Sequence, residues 1–307
     1  MNVEQMGLII KRDDGSEIVN YDNPSFPSYI YDGWIEPNCT WERVPHYHED
    51  LEIVTVKEGS MAYSVNGRTL VLREGDTIIV NSNQIHYSMS LDGQLAKYVI
   101  FVVHPSILMS SVTVEMEAVR PIIDNPDLPF MRFRYINTHT KDFYNLMIDL
   151  PNYRHNAFEI TKRLFLMWDL IMKKTEDYGP RPEDTNYDPR MMSFKSMLHL
   201  MNVNYKETIT LEDIANAGNV SKSQCNNLFN QYVGESPINY LMHLRARKVA
   251  EHLRSGNYTL KQIADMTGFN GVSYMSETFK KFFGQSPRDY KKQWLGVIPD
   301  PSDLIIR

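Results

Sequence analysis

Cysteine is nearly absent from this chain: Cys39 and Cys225 are the two among 307 residues. Two distant cysteines cannot form a disulfide framework, so a reducing compartment, the cytoplasm, is the expected setting. Long apolar runs are missing too. The longest strand-like run, Tyr98-Val-Ile-Phe-Val-Val103, is far short of a membrane span, and no membrane partner is expected. The start, Met1-Asn-Val-Glu-Gln, has no basic region, and Gly7–Ile10 is too short for the apolar part of a signal peptide, so none is expected. Nor is there low-complexity sequence: 42% hydrophobic residues suffice for packed cores, and the length suits two domains.

Positive charge is also scarce overall, with a net charge of −6, but it is unevenly placed. Residues 1–190 carry 18 Lys+Arg against 28 Asp+Glu, whereas residues 191–295 carry 13 against 8. The C-terminal part is therefore basic by five charges, which is where contact with a polyanion would be expected.

That basic part repeats itself. Gly218, Phe229, Gly234, Ser236-Pro237 and Tyr240 recur as Gly268, Phe279, Gly284, Ser286-Pro287 and Tyr290, an offset of 50. Ahead of each copy, Thr210-Leu-Glu-Asp-Ile214-Ala215 matches Thr259-Leu-Lys-Gln-Ile263-Ala264 at an offset of 49. Two copies are too few for a solenoid, so the repeat predicts two copies of one small module. Thr210/Asp213, Ser221/Gln224 and Thr259/Gln262 have capping-box spacing, Gly234 and Gly284 suit the left-handed position that closes a helix, and Ser-Pro suits the start of the next. Each module reads as a short helix, a tight turn at Gly218 or Gly268, and a second helix, which is helix-turn-helix geometry.

The set Ile263-Ala264, Gly268-Phe269, Ser273, Phe279-Lys280-Lys281, Gly284, Pro287 and Tyr290 resembles the C-terminal signature of AraC/XylS-type bacterial transcription regulators, over about the last hundred residues. The resemblance implies two helix-turn-helix units joined by a long helix, here Pro237 to about Arg254. At 1.5 Å per residue that helix is roughly 27 Å long, enough to present two recognition helices to successive major grooves of double-stranded DNA. On the first recognition helix, Ser221–Gln231, Cys225, Leu228, Phe229 and Tyr232 fall on the buried face. Lys222, Ser223, Gln224, Asn226, Asn227, Asn230 and Gln231 are left facing outward. Asn and Gln suit adenine, while few cations mean few phosphate contacts. The second recognition helix, about Val272–Phe283, offers Ser273, Tyr274, Ser276, Glu277, Lys280 and Lys281. Arg245, Arg247 and Lys248 on the joining helix are candidate phosphate clamps. Phe194, Met197, Leu198 and Met201 recur at helical spacing as the core of the first helix of this domain.

Toward the N-terminus the pattern changes to short strands: Leu51–Val56, Met61–Val65, Thr69–Leu72, Asp76–Val80 and Tyr98–Val103, with Asn66-Gly67 as a type I′ hairpin turn. So many short strands indicate a sandwich or barrel. Within them His46-Tyr-His48-Glu-Asp-Leu-Glu52, Gly59, Gly75 and His86 resemble the two cupin motifs, with Thr40, Asn81, Asn83 and Ser90 departing from the pattern. A cupin is the usual sensor domain of the AraC type. The fold class expected is thus α+β with two domains, an antiparallel cupin-like barrel and an all-α double helix-turn-helix domain.

Three readings of the histidines stand side by side. His46, His48, Glu52 and His86 line a pocket for a small polar effector, a sugar or related metabolite, with aromatic walls from Trp34, Trp41, Tyr47 or Tyr87. Alternatively the four hold a divalent metal, for which Fe, Mn, Ni or Zn suits imidazole with carboxylate, although the regulator reading requires no cofactor. The plain alternative is histidines satisfied by local hydrogen bonds. His46, His48 and Glu52 share strand parity and are expected on one, inward face.

Between the two parts, Phe143, Leu146, Met147 and Leu150 make one helical stripe, and Ile160, Leu164, Met167/Trp168 and Ile171 a second that Phe158, Phe165 and Met172 widen. That breadth suits packing on the barrel or a homodimer seam. The expected organisation is a sensor at 1–135, a helical dimerisation segment at 136–178, a Pro-rich linker at 179–190, the DNA-binding domain at 191–295 and a tail at 296–307. The function expected is a DNA-binding regulator under control of a small molecule, not an enzyme, with promoter DNA, the effector and RNA polymerase as partners. The alternative is a metal-dependent cupin enzyme, or a metal or redox sensor, fused to the DNA-binding domain.

Overall fold

The computed structural model describes residues 10–11, 16–23, 25–39, 41–136, 138–175 and 189–297. The proline-rich stretch read as a linker lies almost wholly outside them. The chain divides into two compact units, with the change at Pro189/Arg190.

In the first unit, β1 (Ile10–Lys11) and β2 (Glu17–Ile18) form a small pair. β3 (Ser28–Ile35), β4 (Leu51–Glu58), β5 (Ser60–Val65), β6 (Arg68–Arg73), β7 (Thr77–Val80), β8 (His86–Ser90), β9 (Ala96–Val103) and β10 (Phe130–Phe133) make two antiparallel sheets, ordered β10-β7-β4-β9-β3 and β6-β5-β8. Asn66 and Gly67 both have positive φ, 50° and 79°, as a type I′ turn demands. β3, β8 and β10 were not individually legible. β3 is interrupted by Gly33, and β10 has four residues.

α1 (Val112–Val114), a π-helical turn (Glu115–Val119) and α2 (Arg120–Ile123) intervene before β10; α3 (Thr138–Ile148) and α4 (Ala157–Thr175) follow it. Both stripes of the later helices are used. Phe143, Met147 and Leu150, with Ile160, Leu164, Met167, Trp168 and Ile171, form one core with Leu51, Ile53, Ile79, Val99, Phe101 and Met131. At about 1.5–3 kcal/mol per buried large side chain, this layer is a principal stabiliser of the unit. Alternation has a consequence for function: with Leu51 and Ile53 turned toward the helices, Glu52 of β4 faces the other way, toward the three-stranded sheet.

The second unit contains α5 (Pro189–Asn204), α6 (Leu211–Ala217), α7 (Lys222–Val233), α8 (Pro237–Ser255), α9 (Leu260–Met266), α10 (Val272–Phe283) and α11 (Pro287–Val297). All three expected capping boxes form, at Thr210, Ser221 and Thr259. Gly234 and Gly284 close α7 and α10 with φ of 74° and 70°, and Ser236 and Ser286 cap the helices after them.

The glycine equivalence at the turns needs correction. Gly218 ends α6 with φ −87°, and the left-handed residue after it is Asn219 at 51°. Seven-residue α9 ends at Thr267, so Gly268 with φ 74° corresponds to Asn219. The second turn is one residue longer, which turns the offset of 49 into 50 and makes Gly271 the counterpart of Ser221 at the start of α10.

Candidate metal and effector site and candidate nucleic-acid interface

The chain brings His46, His48, Glu52 and His86 together. One potential ligand atom from each lies within 4.8 Å of the others, and all but His46 are buried. His46 and His48 do not sit in the strand with Glu52, as shared parity had implied. They precede β4 in extended chain, and an isolated bridge pairs His46 with His86, the first residue of β8. Backbone hydrogen bonds in both directions between His46 and His86, 3.1 and 2.9 Å, set the two rings 4.2 Å apart.

The hydrogen bonds fix the tautomers. The Nδ1 atoms face backbone carbonyls: His46 that of Val44 at 2.7 Å, His48 that of Asp50 at 3.1 Å, His86 that of Gln84 at 2.8 Å. A carbonyl only accepts, so each Nδ1 carries the hydrogen and each neutral ring presents its Nε2 lone pair. The Nε2 atoms of His48 and His86 both meet Glu52 Oε2, at 3.4 and 3.3 Å. Two lone pairs facing one carboxylate oxygen repel unless a proton or a metal ion lies between them. Tetrahedral donors at the 2.0–2.1 Å of zinc–nitrogen bonds stand about 3.4 Å apart. Carbonyls behind metal-binding imidazoles are the usual outer support of such sites.

Without a metal, protons fill that place between imidazole and carboxylate. Burial, then the charge on His86, hold the His46 pKa well below its ordinary value. Burial also opposes the charge of His48, but the hydrogen bond and charge of Glu52 prevail and leave its pKa raised. Burial resists ionisation of Glu52 as well, yet the charge of His86 and the two imidazole contacts hold the carboxyl well below the usual carboxylate range.

Three side chains around the cluster had no sequence signal. Tyr63 of β5 donates to Glu52 Oε1 and stacks on His86 with centroids 6.2 Å apart; burial and the Glu52 charge push its phenol well above the ordinary range. Glu17 Oε2 lies 3.4 Å from His46 Nε2, and Tyr21 donates to Asp50 at 2.7 Å. Nothing in residue spacing connects strands that meet only after folding.

The aromatic walls fare differently. Trp41 is half-buried and edge-on to Trp34, centroids 6.3 Å apart, with its indole N–H buried and unbonded. Tyr87 is corrected: it follows His86 in β8 and pairs with Ser64, so alternation turns it to the opposite face from His86 and Tyr63. Tyr47 lies between His46 and His48 in sequence, with its ring buried.

In the second unit, Lys222, Ser223, Gln224, Asn227 and Asn230 of α7 are exposed and Asn226 partly so; Ser273, Tyr274, Glu277, Lys280 and Lys281 of α10 are exposed and Ser276 partly so. Several have internal work. Gln224 Oε1 accepts the Ser221 N–H at 3.0 Å to complete the capping box, so it cannot also bind adenine through both amide atoms. Asn226 donates to the Lys222 carbonyl at 2.9 Å, Lys222 pairs with Glu212 at 2.9 Å, and Lys281 donates to Asn239 at 2.9 Å.

Arg245 is corrected outright. It is 8% exposed, and its guanidinium donates to the carbonyls of Tyr205 and Glu207, each at 2.7 Å. It clamps the segment after α5 and is not a phosphate contact. Arg247 is likewise buried, over the Tyr240 ring at 5.5 Å, and Lys248 pairs with Glu251 at 2.8 Å. Cys225 is buried, and burial pushes its thiol up to about 11.

Residues 214–293 match the family model described as a helix-turn-helix domain, and residues 35–102 match the one described as a cupin domain. The chain is 25% identical over 281 residues to the uncharacterized HTH-type transcriptional regulator YdeC of Bacillus subtilis, covering 90% of this chain and 95% of that protein. The HTH-type transcriptional regulator GbdR of Pseudomonas aeruginosa is 31% identical over 117 residues, 36% of this chain and 32% of that one. Among solved structures, unsaturated fatty acid-bound ToxT from Vibrio cholerae covers 92% of this chain and 100% of that chain at 15% identity, TM-score 0.47. An AraC-type regulator from Chromobacterium violaceum covers 35% of this chain and 95% of that chain at 29% identity, TM-score 0.33.

Proposed function

We propose, from its matches to a helix-turn-helix domain and a cupin domain and from its likeness to an HTH-type regulator over 90% of its length, that the chain is an AraC-type DNA-binding transcription regulator whose cupin domain senses a small molecule at a divalent metal held by His46, His48, Glu52 and His86. The observation that carries the metal is the set of imidazole Nε2 lone pairs, two of them against one carboxylate oxygen. A bound metal would supply Lewis acidity and an open coordination position. The effector is a small, oxygen-rich metabolite such as a sugar, which enters on the side of His46, the ligand that is not buried. The metal-free alternative has the same imidazoles bind the effector directly.

The DNA-reading surface is α7 and α10. Asn227 and Asn230 are the candidate base readers left after the capping and backbone contacts of Gln224 and Asn226 are set aside, and exposed Lys280 is the candidate phosphate contact. Two such units act from a homodimer. The outward side of α4 supports that seam, since Phe158, Phe165 and Leu166 are 76%, 38% and 50% exposed on a helix whose other face is filled. Promoter half-sites and RNA polymerase complete the partners, and the setting is the cytoplasm; among the described residues no helix is long and apolar enough to cross a membrane. Effector binding changes the promoter affinity only as far as the effector prefers one arrangement of the protein.

Metal analysis of purified protein, with thermal unfolding before and after chelation, tests the site. Metal at 100 times its Kd stabilises by about 2.7 kcal/mol, so chelation lowers the midpoint and metal restores it, while His86→Ala no longer responds. An unfolding midpoint indifferent to chelator, with no bound metal, sinks the metal reading.

A further inference from the structure

We propose that Glu17 is a further, displaceable ligand at the four-residue site, and that the effector must therefore be a donor able to take its place. This rests on the metal reading above. Glu17 comes from β2, far from the cupin motifs in sequence, and its backbone N–H is bonded to the Tyr47 carbonyl at 2.8 Å. Four residues on, Tyr21 donates to Asp50 at 2.7 Å. The segment from Glu17 to Tyr21 is thus pinned at two points along the chain that carries His46 and His48.

The carboxylate it delivers stands 3.4 Å from His46 Nε2, the same separation as Glu52 from His48. It lies beside the one ligand histidine that is not buried. His48 and His86 are served by Glu52, while His46 is served by Glu17. Glu52 is locked from behind by Tyr63, whereas the Glu17 side chain is 18% exposed and meets the group at His46. One carboxylate is therefore built in and the other is held by a surface segment. Two carboxylates offset the charge of one divalent cation, so an anionic donor binds there by replacing Glu17 rather than by adding to it.

Cobalt(II), whose visible absorption reports coordination number and ligand type, is the probe, with azide as the small anionic donor. In the full chain, Glu17→Gln weakens cobalt binding by about 10- to 100-fold, the range for residues supporting a metal site, and shifts the cobalt spectrum. Azide perturbs the Glu17→Gln spectrum at concentrations that leave the wild type unchanged. Glu17→Asp keeps the charge but shortens the reach, and it behaves like Glu17→Gln if the carboxylate must arrive at the metal. Far-UV circular dichroism establishes that each variant is folded. Identical cobalt spectra, affinities and azide responses in wild type and both variants overturn the role of Glu17 and leave the metal site standing. No cobalt binding by the wild type removes the metal reading itself.

Discussion

Replacing Arg245 by alanine separates a structural clamp from a DNA contact. The guanidinium makes two hydrogen bonds of 2.7 Å to the Tyr205 and Glu207 carbonyls, and the side chain is 8% exposed. Hydrogen bonds to charged groups contribute about 1.5–3 kcal/mol each. Their sum is an upper bound, because water reaches part of the vacated space, so a loss of about 3 kcal/mol is expected. With a urea m-value of about 1.5 kcal/mol/M, the midpoint falls by about 2 M. Circular dichroism at 222 nm follows it, since the described residues of the second unit are mainly helical. Lys280→Ala is the control: exposed and on α10, it leaves the midpoint within about 0.5 kcal/mol while weakening DNA binding. If Arg245→Ala keeps wild-type stability and loses DNA affinity as Lys280→Ala does, the clamp assignment is wrong.

Gly268→Ala should destabilise the same region by more than the roughly 1–2 kcal/mol of a left-handed non-glycine residue, because its Cβ would stand 2.6 Å from the Lys206 carbonyl oxygen and 2.8 Å from that of Tyr205; a urea midpoint equal to wild type refutes the close approach. Half-exposed Cys39 should react with a thiol reagent at pH 8 in the native protein while Cys225 reacts only on unfolding, two labels appearing in urea and one without it. Because the Cys225 pKa rises from 9.0 to about 11 on folding, its contribution to stability is present below pH 9 and is lost as pH climbs toward 11; rapid native labelling at Cys225 would revive the redox-sensor alternative. Asn227→Ala should relax selection at one adenine by about 1–3 kcal/mol, whereas Lys280→Ala should weaken all sequences alike, as competition among operator variants would reveal.

Local chemistry made the second unit legible. Capping boxes, C-terminal glycines and Ser-Pro starts act over three or four residues, so Thr210, Ser221, Gly234 and Ser236 announced their helices directly. What failed there was accounting for tertiary partners. Arg245 reads as a surface cation on a basic helix, and only the approach of Tyr205 and Glu207, about forty residues earlier, makes it internal. The extra turn residue before Gly271 was hidden by aligning two glycines that do different things. In the first unit, the grouping of His46, His48, Glu52 and His86 followed from the resemblance to the cupin motifs, but Tyr63 and Glu17 reach them across sheet contacts that no spacing encodes. Tyr87 was misplaced by one residue, enough in a strand to reverse its face.

If the His46, His48, Glu52 and His86 site governs sequence-specific DNA binding, loading that site must change the binding. The most direct measurement is selection of DNA from a random pool by the full chain, followed by titration of the enriched sequence with metal-loaded, chelated and His86→Ala protein. Paired half-sites about one helical turn, roughly 34 Å, apart are expected to be enriched. Their affinity should differ between loaded and chelated protein, with no such response in His86→Ala. Enriched DNA bound equally well in all three states would leave a DNA-binding protein whose cupin site is unconnected to it, and would refute control of DNA binding by that site.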